Sequence, residues 1–118
     1  MYSSQLLDHF EHPRNAGELA GADAYVRLEN PACGDILELA IRMDASRIAE
    51  IRFRAKGCVP AMACASAMTE LAKGKQAQEA LRISKAEIVA AVGGLAPASG
   101  HAAQLAIDAL RAVLGKLD

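Results

Sequence analysis

The sequence predicts an α+β fold, with helices packed on one face of a small three-stranded antiparallel sheet. Three observations predict it. Apolar and polar residues alternate with a period of two between about residues 24 and 56. The strand-like runs are joined by short turns, which favour antiparallel hairpins over parallel crossovers. After Cys58 the apolar period becomes helical and stays so.

In order, residues 2–10 predict a short helix capped by Ser3 or Ser4, with Leu6, Leu7 and Phe10 as its apolar stripe. Pro13 ends it, because proline lacks a donor and restricts the residue before it. Residues 15–24 are small and polar and predict a loop. The first strand, Ala24–Glu29, alternates weakly. The second, Ile36–Met43, sets Leu37, Leu39, Ile41 and Met43 against Ile36, Glu38, Ala40 and Arg42. The third, Ile48–Lys56, sets Ile51, Phe53 and Ala55 against Arg52, Arg54 and Lys56, so its cationic face should meet solvent. Pro31–Asp35 and Asp44–Arg47 are the connecting turns.

Pro60 suits a first helical turn, and an Ala- and Met-rich helix from Ala61 to Lys73 stops at Gly74. Residues 76–92 predict one or two short helices, with Ser84 and Glu87 forming a capping box. Gly93–Gly100 is a loop, and a last helix runs from His101 to Leu117. A chain of 118 residues suits one domain, and 53% hydrophobic residues can fill its core. That core must be aliphatic, because aromatic residues are only 3%.

Net charge is −1, from 13 basic and 14 acidic residues, so there is no electrostatic case for nucleic acid or an anionic membrane. The N-terminus lacks an apolar leader and no run is long enough to span a bilayer, so a cytoplasmic protein is expected. The three cysteines are then core filler, metal ligands or reactive groups rather than disulfides.

Four residues sit beside a glycine at element boundaries: Cys33, Asp35, Cys58 and His101. Together they offer two sulfurs, one oxygen and one nitrogen, enough for a tetrahedral zinc or iron site. Each also has a plainer reading. Cys33 can be a half-buried turn cysteine with Asp35 in an Asx-type bond. Cys58 can be a small buried hydrophobe, although a place before a helix would stabilise its thiolate. His101 can be a capping residue. Cys64 forms an i, i+4, i+7 stripe with Ala61, Met68 and Leu71 and is expected to be core packing. His9 and His12 are expected to be solvated or turn-stabilising, and Asp108 a surface charge.

These residues stand within a longer pattern. It comprises Asp8-His9-Phe10, Pro13-Arg14-Asn15, Asn30-Pro31-Ala32-Cys33-Gly34-Asp35, Phe53, Lys56-Gly57-Cys58, Ala61, Ala63, Thr69-Glu70, Lys73-Gly74-Lys75, Leu95, Pro97 and His101. Nearly end to end, the chain resembles the IscU/NifU-type iron–sulfur cluster scaffold proteins, and the resemblance implies that residues 1–118 are one such domain. It further implies a scaffold rather than an enzyme. The scaffold would assemble a nascent cluster, [2Fe-2S] by preference, from iron and from sulfur supplied by a cysteine desulfurase, and pass it to acceptor apo-proteins. Cys33, Asp35, Cys58 and His101 match the family's ligand positions, where Zn2+ or Fe2+ is the alternative occupant. Cys64 could be an additional ligand, and homo-oligomer formation is left open.

The chain departs from the family at three points. Ala102 stands where the family has a third cysteine, a cluster ligand implicated in sulfur acceptance. Leu95-Ala96-Pro97-Ala98-Ser99 replaces a Leu-Pro-Pro-Val-Lys-like stretch, which puts delivery through a dedicated Hsp70-type chaperone in doubt. Cys64 replaces a small polar residue. The short interval from Cys58 to His101 resembles the Isc-type members rather than the Suf-type zinc-dependent sulfur acceptors. Two other functions remain in view: a zinc- or iron-binding paralogue that feeds or regulates the desulfurase without building clusters, and a sulfur acceptor using Cys58 with His101 as base.

Overall fold

The computed structural model describes residues 2–117. The chain runs α1 (Ser4–Glu11), β1 (Ala24–Asn30), β2 (Asp35–Asp44), β3 (Arg47–Lys56), α2 (Val59–Ala72), α3 (Ala77–Ala80), α4 (Lys85–Ala91), a 3-10 turn (Pro97–Ser99) and α5 (Gly100–Leu114). The sheet is antiparallel throughout, in the order β1-β2-β3. The helices α2 and α5 cover one of its faces, as the α+β expectation requires. Among the described residues no helix is long and apolar enough to cross a membrane.

Strand parity places the site. In β2 the buried residues are Asp35, Leu37, Leu39 and Ile41, all on the face that meets the helices. Asp35 therefore shares the core face of the sheet and stands at its end. Val26, Ile51 and Phe53 from the neighbouring strands continue that face. Ile48 joins them because of a bulge that alternation alone did not predict. Arg42 pairs with Glu50 and Met43 with Ile48, which leaves Ala49 as the extra residue. Without it, Ile48 and Ile51, three residues apart, would point to opposite faces.

The outer face carries Arg52, Arg54 and Lys56 as expected, but its charge is largely neutralised. Arg54 pairs with Glu38 at 3.2 Å and Glu18 at 2.7 Å, and Arg52 pairs with Glu50 at 2.8 Å.

The helix α2 is buried on nearly every side, packed by α1, α4, α5 and β3. Its run of Ala61, Ala63, Ala65 and Ala67 lets these neighbours approach closely. Cys64 is fully buried within it, in line with core packing. The two polar residues of α2 that are buried, Ser66 and Thr69, are both satisfied from the N-terminal segment. Ser66 Oγ accepts the Arg14 N–H at 2.9 Å and pairs with His9 Nδ1 at 2.8 Å. Thr69 Oγ1 accepts from Asn15 Nδ2 at 3.2 Å.

The sequence reading placed His9 in solvent or in a turn, whereas the structure buries it against Ser66. The spacing explains this. His9 lies three residues after Leu6, on the same face of α1, and Leu6 is fully buried. Asn15 adopts φ 59° and exchanges backbone hydrogen bonds with β3 through Phe53 N–H to Asn15 O and Gly17 N–H to Phe53 O, both 2.9 Å. The Pro13-Arg14-Asn15 segment thus ties α1 to α2 and covers part of the outer edge of β3. Ser84 and Glu87 form the expected capping box at α4, and Gln76 with Glu79 form another at α3.

Two outcomes are expected from this network. Ser66→Ala strands the His9 ring and the Arg14 N–H and should destabilise the protein by about 1–3 kcal/mol in urea unfolding. The second concerns pH. Burial, and then the charge of Arg14, push the His9 imidazolium below its ordinary value, against the opposing pull of Glu70 and Asp8. The unfolded chain therefore binds the proton first, and stability should fall as pH drops below about 6.5, with no His9 contribution above it. Denaturation midpoints at pH 7.5 and 5 should show this slope in the wild type and a shallower one in His9→Asn. Identical slopes would contradict it.

Candidate metal centre

Three segments meet at the end of the sheet's core face: the β1–β2 turn, the start of α2 and the start of α5. The turn is folded by Asn30, whose carbonyl accepts the N–H of Cys33 at 3.3 Å and Gly34 at 2.7 Å, while its side chain accepts the Ala32 N–H at 3.1 Å. Gly34 completes it at φ 74°, a left-handed conformation that glycine tolerates. The turn leaves Cys33 exposed, not half-buried, and returns the chain with Asp35 turned inward.

Asp35 is the centre of the arrangement, at 1% exposure. The Cys58 N–H donates to its Oδ1 at 3.0 Å. Its Oδ2 accepts the Cys33 thiol at 3.1 Å and the Cys58 thiol at 3.3 Å, and lies 3.6 Å from His101 Nε2. Nε2 is also 4.0 Å from Cys58 Sγ. His101 Nδ1 donates to the Ala98 carbonyl at 3.1 Å, so in the neutral ring Nε2 is the bare nitrogen and faces Asp35. The 3-10 turn Pro97–Ser99 sets that carbonyl in place.

The four residues singled out from sequence therefore converge on one carboxylate oxygen. One ligand atom each from Cys33, Asp35 and His101 lie within 4.8 Å of one another, a spacing that can close on a shared metal ion. With Cys58 the donor set becomes two sulfurs, one oxygen and one nitrogen, which suits tetrahedral zinc or iron.

The electrostatics differ from one expectation. A helix N-terminus was expected to favour the Cys58 thiolate. Cys58 does cap α2, and the Ala61 N–H pulls in that direction. Burial outweighs it, aided by the Asp35 carboxylate, and the thiol is pushed up. For Cys33 the Asp35 backbone N–H pulls the thiol down, but the Asp35 carboxylate as acceptor, desolvation and its charge together push it up. Burial works to raise Asp35 itself. The Cys33 thiol, the Cys58 N–H and thiol, and the charge of His101 hold it below the usual carboxylate value.

The remaining candidates stand apart. Burial pushes the Cys64 thiol up to about 12, so as an additional ligand it is poorly placed. Ala102 is buried in α5. His12 is exposed, as expected. Asp108 is exposed too and accepts from Gln104 Nε2 at 2.8 Å. It lines a groove of about 290 Å³ beside His101 with Glu29, Asn30 and Pro31. Sequence reasoning noted the glycine beside Cys58 without giving its backbone a role, and it missed the Ala98 carbonyl. A carbonyl leaves no trace in sequence, but a glycine directly before a ligand was a readable signal.

Comparison with known proteins bears on the family and the fold. The profile of the NifU-like N terminal domain matches residues 1–117. An iron–sulfur cluster assembly scaffold protein of Archaeoglobus fulgidus, IscU 1, is 41% identical over 125 residues, covering 100% of this chain and 82% of that protein. The scaffold protein IscU of Haemophilus influenzae is 38% identical, covering 96% of this chain and 92% of the relative. Among solved structures, a hypothetical protein superposes with TM-score 0.78 at 30% identity, over 95% of each chain. A scaffold of the SUF system from Fervidobacterium islandicum superposes with TM-score 0.82 at 22% identity, over 96% of each chain, and supports the fold. The chain belongs to the NifU-like N terminal domain family.

Proposed function

We propose that the protein is an iron–sulfur cluster assembly scaffold that builds a nascent cluster, [2Fe-2S] by preference, on Cys33, Asp35, Cys58 and His101, then releases it to acceptor proteins. The observation that carries this reading is the approach of two thiols and an imidazole nitrogen to Asp35 Oδ2, between 3.1 and 3.6 Å. Relatives along the full chain that are named as cluster assembly scaffolds support it. Sulfur would come from a desulfurase and leave with the iron, so the cluster is cargo and the protein is not an enzyme. One oxygen ligand among softer donors makes the site exchangeable, because carboxylate oxygen binds iron less tightly than thiolate does.

A second reading has its own observation. Ala102 carries no sulfur and is buried, so position 102 supplies no ligand. With two thiols, one carboxylate and one imidazole, the site would also hold a single Zn2+ or Fe2+ and serve iron supply or desulfurase control. A nucleophilic role for Cys58 with His101 as base fits less well. Their 4.0 Å separation is long for proton transfer, and burial keeps the thiol protonated.

Anaerobic reconstitution with Fe2+ and sulfide should give visible sulfur-to-iron charge-transfer absorption in the wild type. Cys33→Ala and Cys58→Ala should both lose it, and Cys64→Ala should keep it. A colourless wild type would overturn the scaffold reading. Elemental analysis separates the second reading: about one Zn2+ per chain, removed by chelator with a drop in Tm, and no acid-labile sulfide even after reconstitution.

A further inference from the structure

Resting on the metal-site reading above, we propose that Gly57 is a positioning residue for Asp35: its bare backbone holds this carboxylate as a one-oxygen ligand. A Cβ at position 57 would lie 2.0 Å from Asp35 Oδ1, 2.7 Å from its Cγ and 3.0 Å from its Cα. No side chain fits there while Asp35 keeps its place. The next peptide unit supplies the other half of the device, because the Cys58 N–H donates to the same Oδ1 at 3.0 Å. One carboxylate oxygen is thus pressed against backbone and hydrogen-bonded to it. The other is turned toward Cys33, Cys58 and His101.

This division has a chemical consequence. A carboxylate that can swing offers two oxygens, which suits large hard cations with six to eight ligands. A carboxylate pinned through one oxygen contributes a single donor, which suits a four-coordinate ion with sulfur and nitrogen ligands. Gly57 has φ +147°, so a side chain there also strains the backbone. By contrast, a Cβ at Gly34, in the same turn as Cys33 and Asp35, would meet nothing within 4 Å. Of the two glycines beside Cys33, Asp35 and Cys58, only Gly57 makes this close approach.

The test is a double-mutant cycle read by Co2+ binding, whose visible absorption reports affinity and tetrahedral geometry together. Gly57→Ala should weaken Co2+ by about 10- to 100-fold and reduce the tetrahedral band, the range usual for residues that orient a ligand. In an Asp35→Ala background, where the crowded Oδ1 and Cγ are gone, adding Gly57→Ala should change Co2+ affinity by less than about twofold, since little coupling remains between sites without a shared contact. Backbone strain is common to both backgrounds, so it is what remains of the loss in the Asp35→Ala background, and the difference between the two backgrounds reports the contact with Asp35. If Gly57→Ala alone does not fold but the double variant does, the clash is shown directly. Equal loss in both backgrounds, failure of both to fold, or no loss in either would overturn the proposal. A wild type that takes up no Co2+ would instead sink the metal-site reading, so the two failures are distinct.

Discussion

A buried carboxylate is the constraint on which this structure turns. The parity that sends Leu37, Leu39 and Ile41 into the core sends Asp35 there too, because residues two apart on a strand share a face. An ionised group out of water must be solvated by protein or it destabilises the fold. Around Asp35 that solvation comes from one backbone N–H and two thiols, with the His101 ring adding to it only in its protonated form, and nothing else among the described residues bonds to its side chain. The thiols that satisfy the acid without metal are among the side chains that can bind a metal with it. Folding and ligand placement are one problem here, solved once.

The placement depends on rigidity elsewhere. Cys58 and His101 sit at the starts of the two helices that cover the sheet, so their positions follow from how α2 and α5 pack. The helix α2 is held by almost featureless contacts, small alanines against neighbouring helices. Its orientation is instead specified by polar contacts: Ser66 and Thr69 accept from the 13–15 segment, and that segment bonds to β3 through Asn15 and Phe53. Buried polar groups that are all satisfied discriminate among packings that smooth alanine surfaces would tolerate. The Pro-Arg-Asn segment is far from the thiols in sequence, yet it helps decide where Cys58 points.

This also explains what could be read from the sequence and what could not. Strand alternation in β2 and β3 and the Ser84–Glu87 capping box were legible, because each is a local pattern with a fixed period or spacing. By contrast, the Cys33 and Asp35 pair, Cys58 and His101 stand far apart in the chain and were singled out by glycines at element boundaries and by the family resemblance. The face of His9 was readable from its spacing to Leu6, but the partner that lets its ring be buried, Ser66, lies fifty-seven residues away, beyond any local window. The Ala49 bulge was missed because one extra residue in a strand changes the count of neighbours and not the local composition. The Cys58 thiol was left open between burial and thiolate stabilisation for a related reason. A helix N-terminus is visible in sequence, whereas the burial that outweighs it is a property of the whole fold.

The four candidate ligands are not held equally, and the difference bears on release. Cys58 and His101 are fixed by helices, and Asp35 by a strand and the Gly57 backbone. Cys33 alone is exposed on a turn, tethered by Asn30 at one end and by its thiol hydrogen bond at the other. If a cargo leaves by successive ligand exchange, the first bond to break is the one whose protein side can move without disturbing the core. That is the bond to Cys33, since moving Asp35, Cys58 or His101 would require a shift of the sheet end or of a helix start. The site is therefore asymmetric by construction, with three donors set by packing and one set by a turn.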